Sequence, residues 1–493
     1  MNIVSYRGPN SPGGVSATLA RIFDGGGEHA RKWWYINENC LFTKDKTAER
    51  PDRTAALPSE MLEGHYRYCN DFLWPILHGL HQYVHYNEED RGHYQRFNLA
   101  TAFHVQNTIE KSDRADCFVN DYQFALMPKL LEQKHIRVTA FWHIPWPVSV
   151  PDGYVEPMKE IVDSLLGARV LGFHTAEYAR NFMQFVQQHF PAHAVDTERH
   201  MIVQDDHPGA NPRDRFKRKL TEVLVKPLGI DVDYWKSVAR QTVPESDMNK
   251  IAELAGAPLE MCRPYILSVD RGDYTKGILP RLDAIEYFFE SNPERIGEVF
   301  FLQMCQPSRI NLKEFNQYWA KCQARYKEIN DKFRKGDWQP IVWVEKSVGI
   351  NALSRLYKEA AAMLITPVRD GLNLTAKEFI ACGGDNPGVL MLSSGAGAWW
   401  ELGKHALHVD PSDKKQIAGQ IARALDMPRI ERINRSRSMK ESLRVNALQK
   451  WANGFRSVPE TATTPIVARS KKLEKLPVSK SRTFGRSKQA LSS

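Results

Sequence analysis

The sequence predicts an α/β fold of two Rossmann-like, doubly wound domains, and three observations carry that expectation. Short apolar runs recur along the chain, each followed by a longer segment of helical period. Most of these runs are apolar throughout instead of alternating, as expected of strands covered on both faces of a parallel sheet. The runs also fall into two sets, separated near residues 230–262.

The first set is Asn2–Tyr6, Cys117–Asn120, Val138–His143, Val170–His174 and Val223–Leu228. Between its first two members, residues 25–110 read as a long insertion rich in aromatic residues and histidine, as in Trp33-Trp34-Tyr35 and Tyr66–His85. Pro227-Leu228-Gly229-Ile230-Asp231 closes the set, a polar helical stretch follows, and Pro264 opens the next strand. The second set is Tyr265–Val269, Glu298–Met304, Ile341–Val344, Met363–Thr366, Val389–Leu392 and His405–Val409. The expected division is 1–235, 236–455 and a basic disordered tail, 456–493. No internal repeat is seen beyond the two-domain plan.

Composition narrows the function classes. A chain of 493 residues with 42% hydrophobic and 25% charged residues is an ordinary globular sequence of two or three domains. No apolar run approaches the ~20 residues that cross a bilayer, and the N-terminus reads as a strand instead of a signal segment. Seven scattered cysteines without a C-x-x-C pair argue against a disulfide framework or zinc site and for a reducing cytoplasm. The net charge of +9 is concentrated in the tail, where residues 461–493 hold eight Lys and Arg against one Glu. A Ser/Thr/Pro-rich basic tail is read as a solvated extension, not as a specific nucleic-acid site. A homo-oligomer is compatible with the sequence, which does not fix the state of association.

Ligands of open α/β sheets bind beyond the carboxyl ends of the strands, so the informative loops follow the runs above. Arg271-Gly272-Asp273-Tyr274-Thr275-Lys276-Gly277 sets two cations between glycines on a strand-to-helix loop. A diphosphate calls for such charge, close backbone and a helix N-terminus, and a solvated surface turn is the plain alternative. Thr366–Glu378 follows another buried strand. Asp370-Gly371 marks a tight turn, and a helix beginning near Asn373 presents unpaired N–H groups. Glu378, one turn inside, suits two ribose hydroxyls; otherwise it is a solvated helix residue. In the first half, Asp121 and His143 stand at strand ends, where they suit sugar hydroxyls or, equally, a helix N-cap and an interior histidine. The opening Ser5-Tyr6-Arg7, then Pro12-Gly13-Gly14 and a helix at Ala17–Ile22, suits a loop passing close to a phosphate or sugar.

Together these residues resemble glycosyltransferase family 20, the trehalose-6-phosphate synthases and their relatives, over most of residues 1–455. The family's R-x-D-Y-x-K-G is Arg271–Gly277, its P-x-R-D-G-[ML]-N-L-x-A-K-E is Pro367–Glu378, and its H-I-P-[FW]-P is His143–Pro147. Its G-F-H-T-x-x-Y-A-R is Gly172–Arg180, and its P-[IL]-G-I-D is Pro227–Asp231. The resemblance implies a GT-B architecture with the site between two Rossmann-like domains. It implies retaining transfer of glucose from a nucleotide-sugar, UDP-glucose in the leading reading, to glucose 6-phosphate in trehalose and compatible-solute biosynthesis, an osmoprotective role. Glycerol 3-phosphate as acceptor, with ADP- or UDP-glucose as donor, and a catalytically silent sugar-phosphate sensor are the alternatives.

On this resemblance Arg271 and Lys276 hold the diphosphate, Gly14 lies beside it, and Val348 touches the base. Gly371, Leu372, Asn373, Leu374, Thr375, Ala376, Lys377 and Glu378 form the donor segment, binding phosphate through backbone groups and ribose through Glu378. Asp370 and His143 contact the transferred glucose, and Asp121 orients the attacking hydroxyl. Arg7 and Arg309 bind the acceptor phosphate and Trp74 lines its pocket. No metal or other cofactor is implied. The departures lie on the acceptor side: Asn120 stands for the histidine of the usual H-D-Y, Trp146-Pro147-Val148 for Phe-Pro-Ser, and His65, with Tyr66 adjacent, for an acceptor-phosphate tyrosine.

Overall fold

The computed structural model describes residues 2–9, 11, 14–25, 32–109, 116–204, 219–255 and 263–456. Pro12, Gly13 and the basic tail beyond residue 456 lie outside the described residues.

The first half builds a ten-stranded sheet from β1 (Asn2–Val4), β2 (Lys32–Asn37), β3 (Cys40–Asp45), β4 (Asp52–Ala56), β5 (Asp116–Asn120), β6 (Arg137–Trp142), β7 (Val170–Phe173), β8 (Ala194–Asp196), β9 (Met201–Gln204) and β10 (Lys219–Val225). Its order is β4-β3-β2-β1-β5-β6-β7-β10-β9-β8. The centre is parallel, and an antiparallel ribbon borders each edge, β3 and β4 on one side and β9 and β8 on the other. The second half builds an all-parallel sheet from β11 (Tyr265–Gly272), β12 (Phe300–Pro307), β13 (Ile341–Val344), β14 (Ala362–Ile365), β15 (Val389–Ser393) and β16 (Leu407–Val409), in the order β13-β12-β11-β14-β15-β16. The α/β expectation holds, and all eleven apolar runs lie on strands.

The insertion at 25–110 is not free of strands, since it contains β2, β3 and β4. β4 is the edge strand, and all three have half-exposed or exposed positions, as in the e-e-i-i-e pattern of β4, so the uniformly apolar signal of a central parallel strand is missing. The final helix, Leu448–Arg456, was expected with the second domain but docks on the first. Trp451 packs 5.0 Å from Phe141 and 5.8 Å from Phe118, ring to ring, and its indole N–H donates to Lys226 O at 3.2 Å.

The topology places the two motif loops. In the second sheet β11 is flanked by β12 and β14, whose connections run to opposite sides, so the crevice opens between the ends of β11 and β14. The loops leaving those ends are Arg271–Gly277 and Thr366–Glu378. In the first sheet β1 is flanked by β2 and β5, and the loops leaving β1, β5 and β6 carry Arg7, Asp121 and His143.

Candidate functional site

The two second-half loops are bonded into one unit. Val368 N–H donates to Thr275 O at 2.8 Å, and Thr366 Oγ1 to Gly277 O at 3.1 Å. Gly277 has φ +62, and a Cβ there would lie 2.0 Å from Thr366 O, so both conformation and space require glycine. Asp270, just before Arg271, forms a buried pair with Arg281 at 2.8 Å that anchors the strand end.

Within this unit Lys276 Nζ sits 2.6 Å from Asp370 Oδ2, and Asn373 Nδ2 donates to the same oxygen at 3.1 Å. Burial raises the Asp370 carboxyl, yet Lys276 and Asn373 bring it below its ordinary value, so it is held as a carboxylate. The resemblance implies separate substrates for these two residues, diphosphate and glucose; in the structure they are partners. Asn373, at φ +78, caps the helix Leu374–Cys382, its Oδ1 accepting from Ala376 N–H at 3.1 Å. The cap leaves the Leu374 and Thr375 N–H groups as the front of the helix, where an anion is favoured. Tyr357 donates to Glu378 Oε2 at 3.1 Å. Burial pushes the Glu378 carboxyl up to about 7, against that hydrogen bond and the charge of Arg21 from the facing half. Val348 is half-buried on the loop after β13, and Gly14 begins the helix Gly14–Gly25 with φ +53 in open surroundings.

Three members of the donor segment have side chains committed elsewhere. Lys377 is fully buried, 2.5 Å from Glu401 and donating to Leu228 O at 2.9 Å, so it ties the helix to the inter-domain connection. Leu372 is buried with Ile3, Phe118 and Phe141 of the first half. Ala376 lies in the second-half core, with its N–H already capped. The cap withdraws the Ala376 N–H from the backbone phosphate contacts that the resemblance implies, while the Leu372 and Lys377 side chains serve packing. Tertiary packing, which a motif does not display, buries six of the nine residues of this helix.

The halves meet at Gly371, where a Cβ would lie 2.0 Å from His143 O. Tyr178 donates to Asp370 O at 3.0 Å, and Arg369 pairs with Glu177 beside it. The backbone of His143 therefore lies against the turn that carries Asp370.

Asp121 adopts φ 67 and ψ 174, a conformation rare outside glycine. It does not cap the following turn; its Oδ1 accepts from His143 N–H at 3.1 Å. Burial pushes its carboxyl up to about 7, opposed by that hydrogen bond and by Arg309. Seven described non-glycine residues have positive φ, and three of them, Asp121, Arg309 and Asn373, line this cleft. Such strain persists where the surrounding structure enforces it and concentrates at sites.

Three arginines converge beside them. Arg309 stacks over Trp74 at 4.2 Å and pairs with the buried Asp273 at 2.8 Å; Arg271 lies 6.0 Å from the same indole. Burial pushes the Asp273 carboxyl up, but Arg309 and Arg271 pull it below the ordinary value. Arg271 is solvent-exposed although dense protein surrounds it, and burial followed by repulsion from Arg309 lowers its pKa. Arg7 is exposed, and its backbone O accepts from Ser5 Oγ at 2.7 Å. Burial raises the Tyr66 phenol, opposed by Arg309, Arg7 and Arg271, so its hydroxyl is within electrostatic reach of the three cations. The Trp74 indole N–H is buried without a partner among the described residues.

His65 is a correction. It is fully buried, stacked among Tyr6, Tyr94 and Phe97, with Nε2 3.0 Å from Gln123 O. Burial pushes it down to about 4, so it is a neutral core residue. The neighbouring Tyr66 supplies the phenol that faces the arginines. Asp273, Tyr357 and Tyr178 were also missed as supporting residues. Asp273 and Tyr178 lie inside motifs quoted above, whereas Tyr357 acts on a residue distant in sequence and gives no local signal. Among the described residues, the group of ligating side chains close enough to hold a metal is Glu60, Glu89 and His93, and it includes none of the cleft residues. No helix among the described residues is long and apolar enough to cross a membrane.

Residues 38–459 match the model of glycosyltransferase family 20. The chain is 33% identical over 406 residues to a bifunctional trehalose-6-phosphate synthase/phosphatase of Thermoproteus tenax, covering 81% of this chain and 52% of that one. It is 30% identical over 471 residues to a glucosylglycerol-phosphate synthase of Pseudomonas anguilliseptica, covering 91% and 61%. The chain thus spans about half the length of several curated relatives that it matches. The crystal structure of a UDP-forming trehalose-phosphate synthase of Burkholderia xenovorans in complex with glucose-6-phosphate superposes with a TM-score of 0.78 at 27% identity, covering 92% of this chain and 98% of that one.

Proposed function

The chain belongs to glycosyltransferase family 20, and we propose that it transfers glucose, with retention, from UDP-glucose to the hydroxyl of a phosphorylated acceptor, glucose 6-phosphate in the leading reading. One observation carries this. The cleft holds two anion sites of different construction facing each other. One is the helix front at Leu374–Thr375 beside Lys276; the other is the Arg7, Arg309, Tyr66 and Trp74 group, with Arg271 between them. A nucleoside diphosphate and a monophosphate are the substrates that such a pair accommodates together.

Breaking the anomeric bond places negative charge on the departing diphosphate. Arg271, Lys276 and the N–H groups of Leu374 and Thr375 are fixed before reaction and stabilise that charge as it develops. Glu378, its second oxygen engaged by Tyr357, holds the ribose. Asp370 positions the glucose, and the carboxylate of Asp121 orients the attacking hydroxyl. With these cations in place the proposed chemistry needs no metal.

Glycerol 3-phosphate is the second reading. It is favoured by the glucosylglycerol-phosphate synthase matched over 91% of the chain and by a core histidine at position 65. The test incubates the protein with UDP-glucose and either acceptor and measures UDP release. Release dependent on glucose 6-phosphate supports the leading reading, and release dependent on glycerol 3-phosphate supports the second. No release with UDP-, ADP- or GDP-glucose and either acceptor overturns both.

A further inference from the structure

Asn120 stands at the end of β5, where the family resemblance leads one to expect histidine. Its side chain is buried and bonded at both ends. Nδ2 lies 3.1 Å from Val4 O, and Oδ1 lies 3.1 Å from His143 Nε2. We propose that Asn120 fixes the tautomer of His143, keeping the ring neutral with its proton on Nε2, so that in the cleft His143 accepts a hydrogen bond through Nδ1 and does not donate one. The role rests on the glucosyltransferase reading above; the tautomer itself does not.

The assignment follows from what each atom is able to do. Val4 O only accepts, so the amide must turn its NH₂ toward it. That leaves the amide oxygen facing His143 Nε2, and two acceptors do not share a hydrogen bond without a proton. Nε2 therefore carries the proton, and Nδ1 keeps its lone pair. The orientation is set by the hydrogen-bond network, the basis on which amide and imidazole orientations are assigned. Nδ1 is buried and has no partner among the described residues. Protonating it would place a second N–H where no acceptor waits, and burial accordingly pushes the ring down to about 3.

The surrounding groups do not reverse this. Asp121 takes the backbone N–H of His143 at 3.1 Å, not the ring. His174, 5.2 Å away ring to ring, accepts from Leu228 N–H through its own Nδ1, and burial, then His143 and Lys377, disfavour positive charge on it. Asp370, beyond Gly371, is already paired with Lys276. A buried acceptor without a partner calls for a donor, and a hydroxyl of the transferred sugar is the donor that the proposed reaction brings. Asn120 is thus a positioning residue acting through His143.

The test is a long-range proton–nitrogen NMR spectrum of histidine-labelled protein at pH 7 without substrate, with His143 assigned by loss of its signals in His143→Gln. The expected spectrum shows Nε2 protonated, Nδ1 unprotonated, and no titration between pH 5 and 8. In Asn120→Asp a carboxylate faces Nε2–H and raises the ring's titration midpoint by about 1–3 pH units. Its kcat then falls relative to wild type as pH is lowered through the new midpoint. Unaltered signals from the other histidines establish that the variant is folded, and if it is not, the wild-type spectrum decides alone. A proton on Nδ1 or a charged ring in the wild type overturns the proposal, as does an Asn120→Asp titration and pH profile identical to wild type when the carbon-13 shift of the new carboxyl shows it ionised. The expected tautomer in a protein inactive with every donor would retire the glucosyl-transfer reading and leave the tautomer assignment standing.

Discussion

Replacing Gly371 by alanine tests whether the cleft works only at its present width. The added Cβ would lie 2.0 Å from His143 O and 2.9 Å from Ile144 Cα, and contacts under 3.0 Å are essentially never adopted by real Cβ atoms. Both neighbours are backbone on the first half, so no flexible side chain swings away. The two halves must separate locally by at least about 1 Å, a misplacement that costs on the order of 100-fold when reacting groups are held across it. Overpacking of this kind typically costs about 1–3 kcal/mol of stability, which the protein is expected to survive. The assay is steady-state UDP release with a thermal melt as control. The expected result is a kcat reduced roughly 100-fold with a small drop in melting temperature. A Gly371→Ala enzyme within threefold of wild-type kcat would refute the claim that contact between Gly371 and His143 sets the reacting geometry.

The arginines should separate by substrate. Arg309→Ala is expected to raise the acceptor KM roughly 10- to 100-fold, the scale of a lost charged hydrogen bond, with the donor KM unchanged; Arg271→Ala, removing the cation between the two sites, should raise both while the fold survives. The Asp121 carboxyl, pushed up to about 7, makes activity and stability run in opposite directions. At saturating donor, kcat should rise with pH through about 7 as the carboxylate forms, and Asp121→Asn should flatten that limb. Between pH 4 and 7 the folded state holds more protons at this group than the unfolded chain, so its contribution to stability falls as pH rises through that window. A kcat that falls over the same range would contradict the role of Asp121. Activity should persist in excess EDTA, and its abolition would show that the charge on the leaving diphosphate needs a metal after all.

Much of the donor side was legible in the sequence because it rests on local geometry. Buried parallel strands are uniformly apolar, and the loops leaving β11 and β14 carry glycines, cations and a helix start within a dozen residues of one another. Their adjacency was not local, since it arises from the strand order that places β11 beside β14. The strands β2–β4 are not legible because each has half-exposed or exposed positions and loses the apolar signature. Sequence order does not show that the Leu372 and Lys377 side chains turn inward. The acceptor side was the least legible. Whether His65 or Tyr66 faces the arginines depends on helix rotation, and the one-residue difference exchanges a core ring for a cleft hydroxyl. Pairings such as Tyr357 with Glu378 or Asn120 with His143 join separate elements and leave no trace in spacing.

The central claim is that this cleft moves a glucosyl group between a nucleotide and a phosphorylated acceptor. Supplying UDP-glucose labelled with carbon-13 at the anomeric position, together with glucose 6-phosphate, and recording the product spectrum measures this directly. The account predicts the label in a new phosphorylated disaccharide, with the α configuration retained and one UDP released per product formed. Label that stays on the nucleotide, or appears only as free glucose, would contradict it.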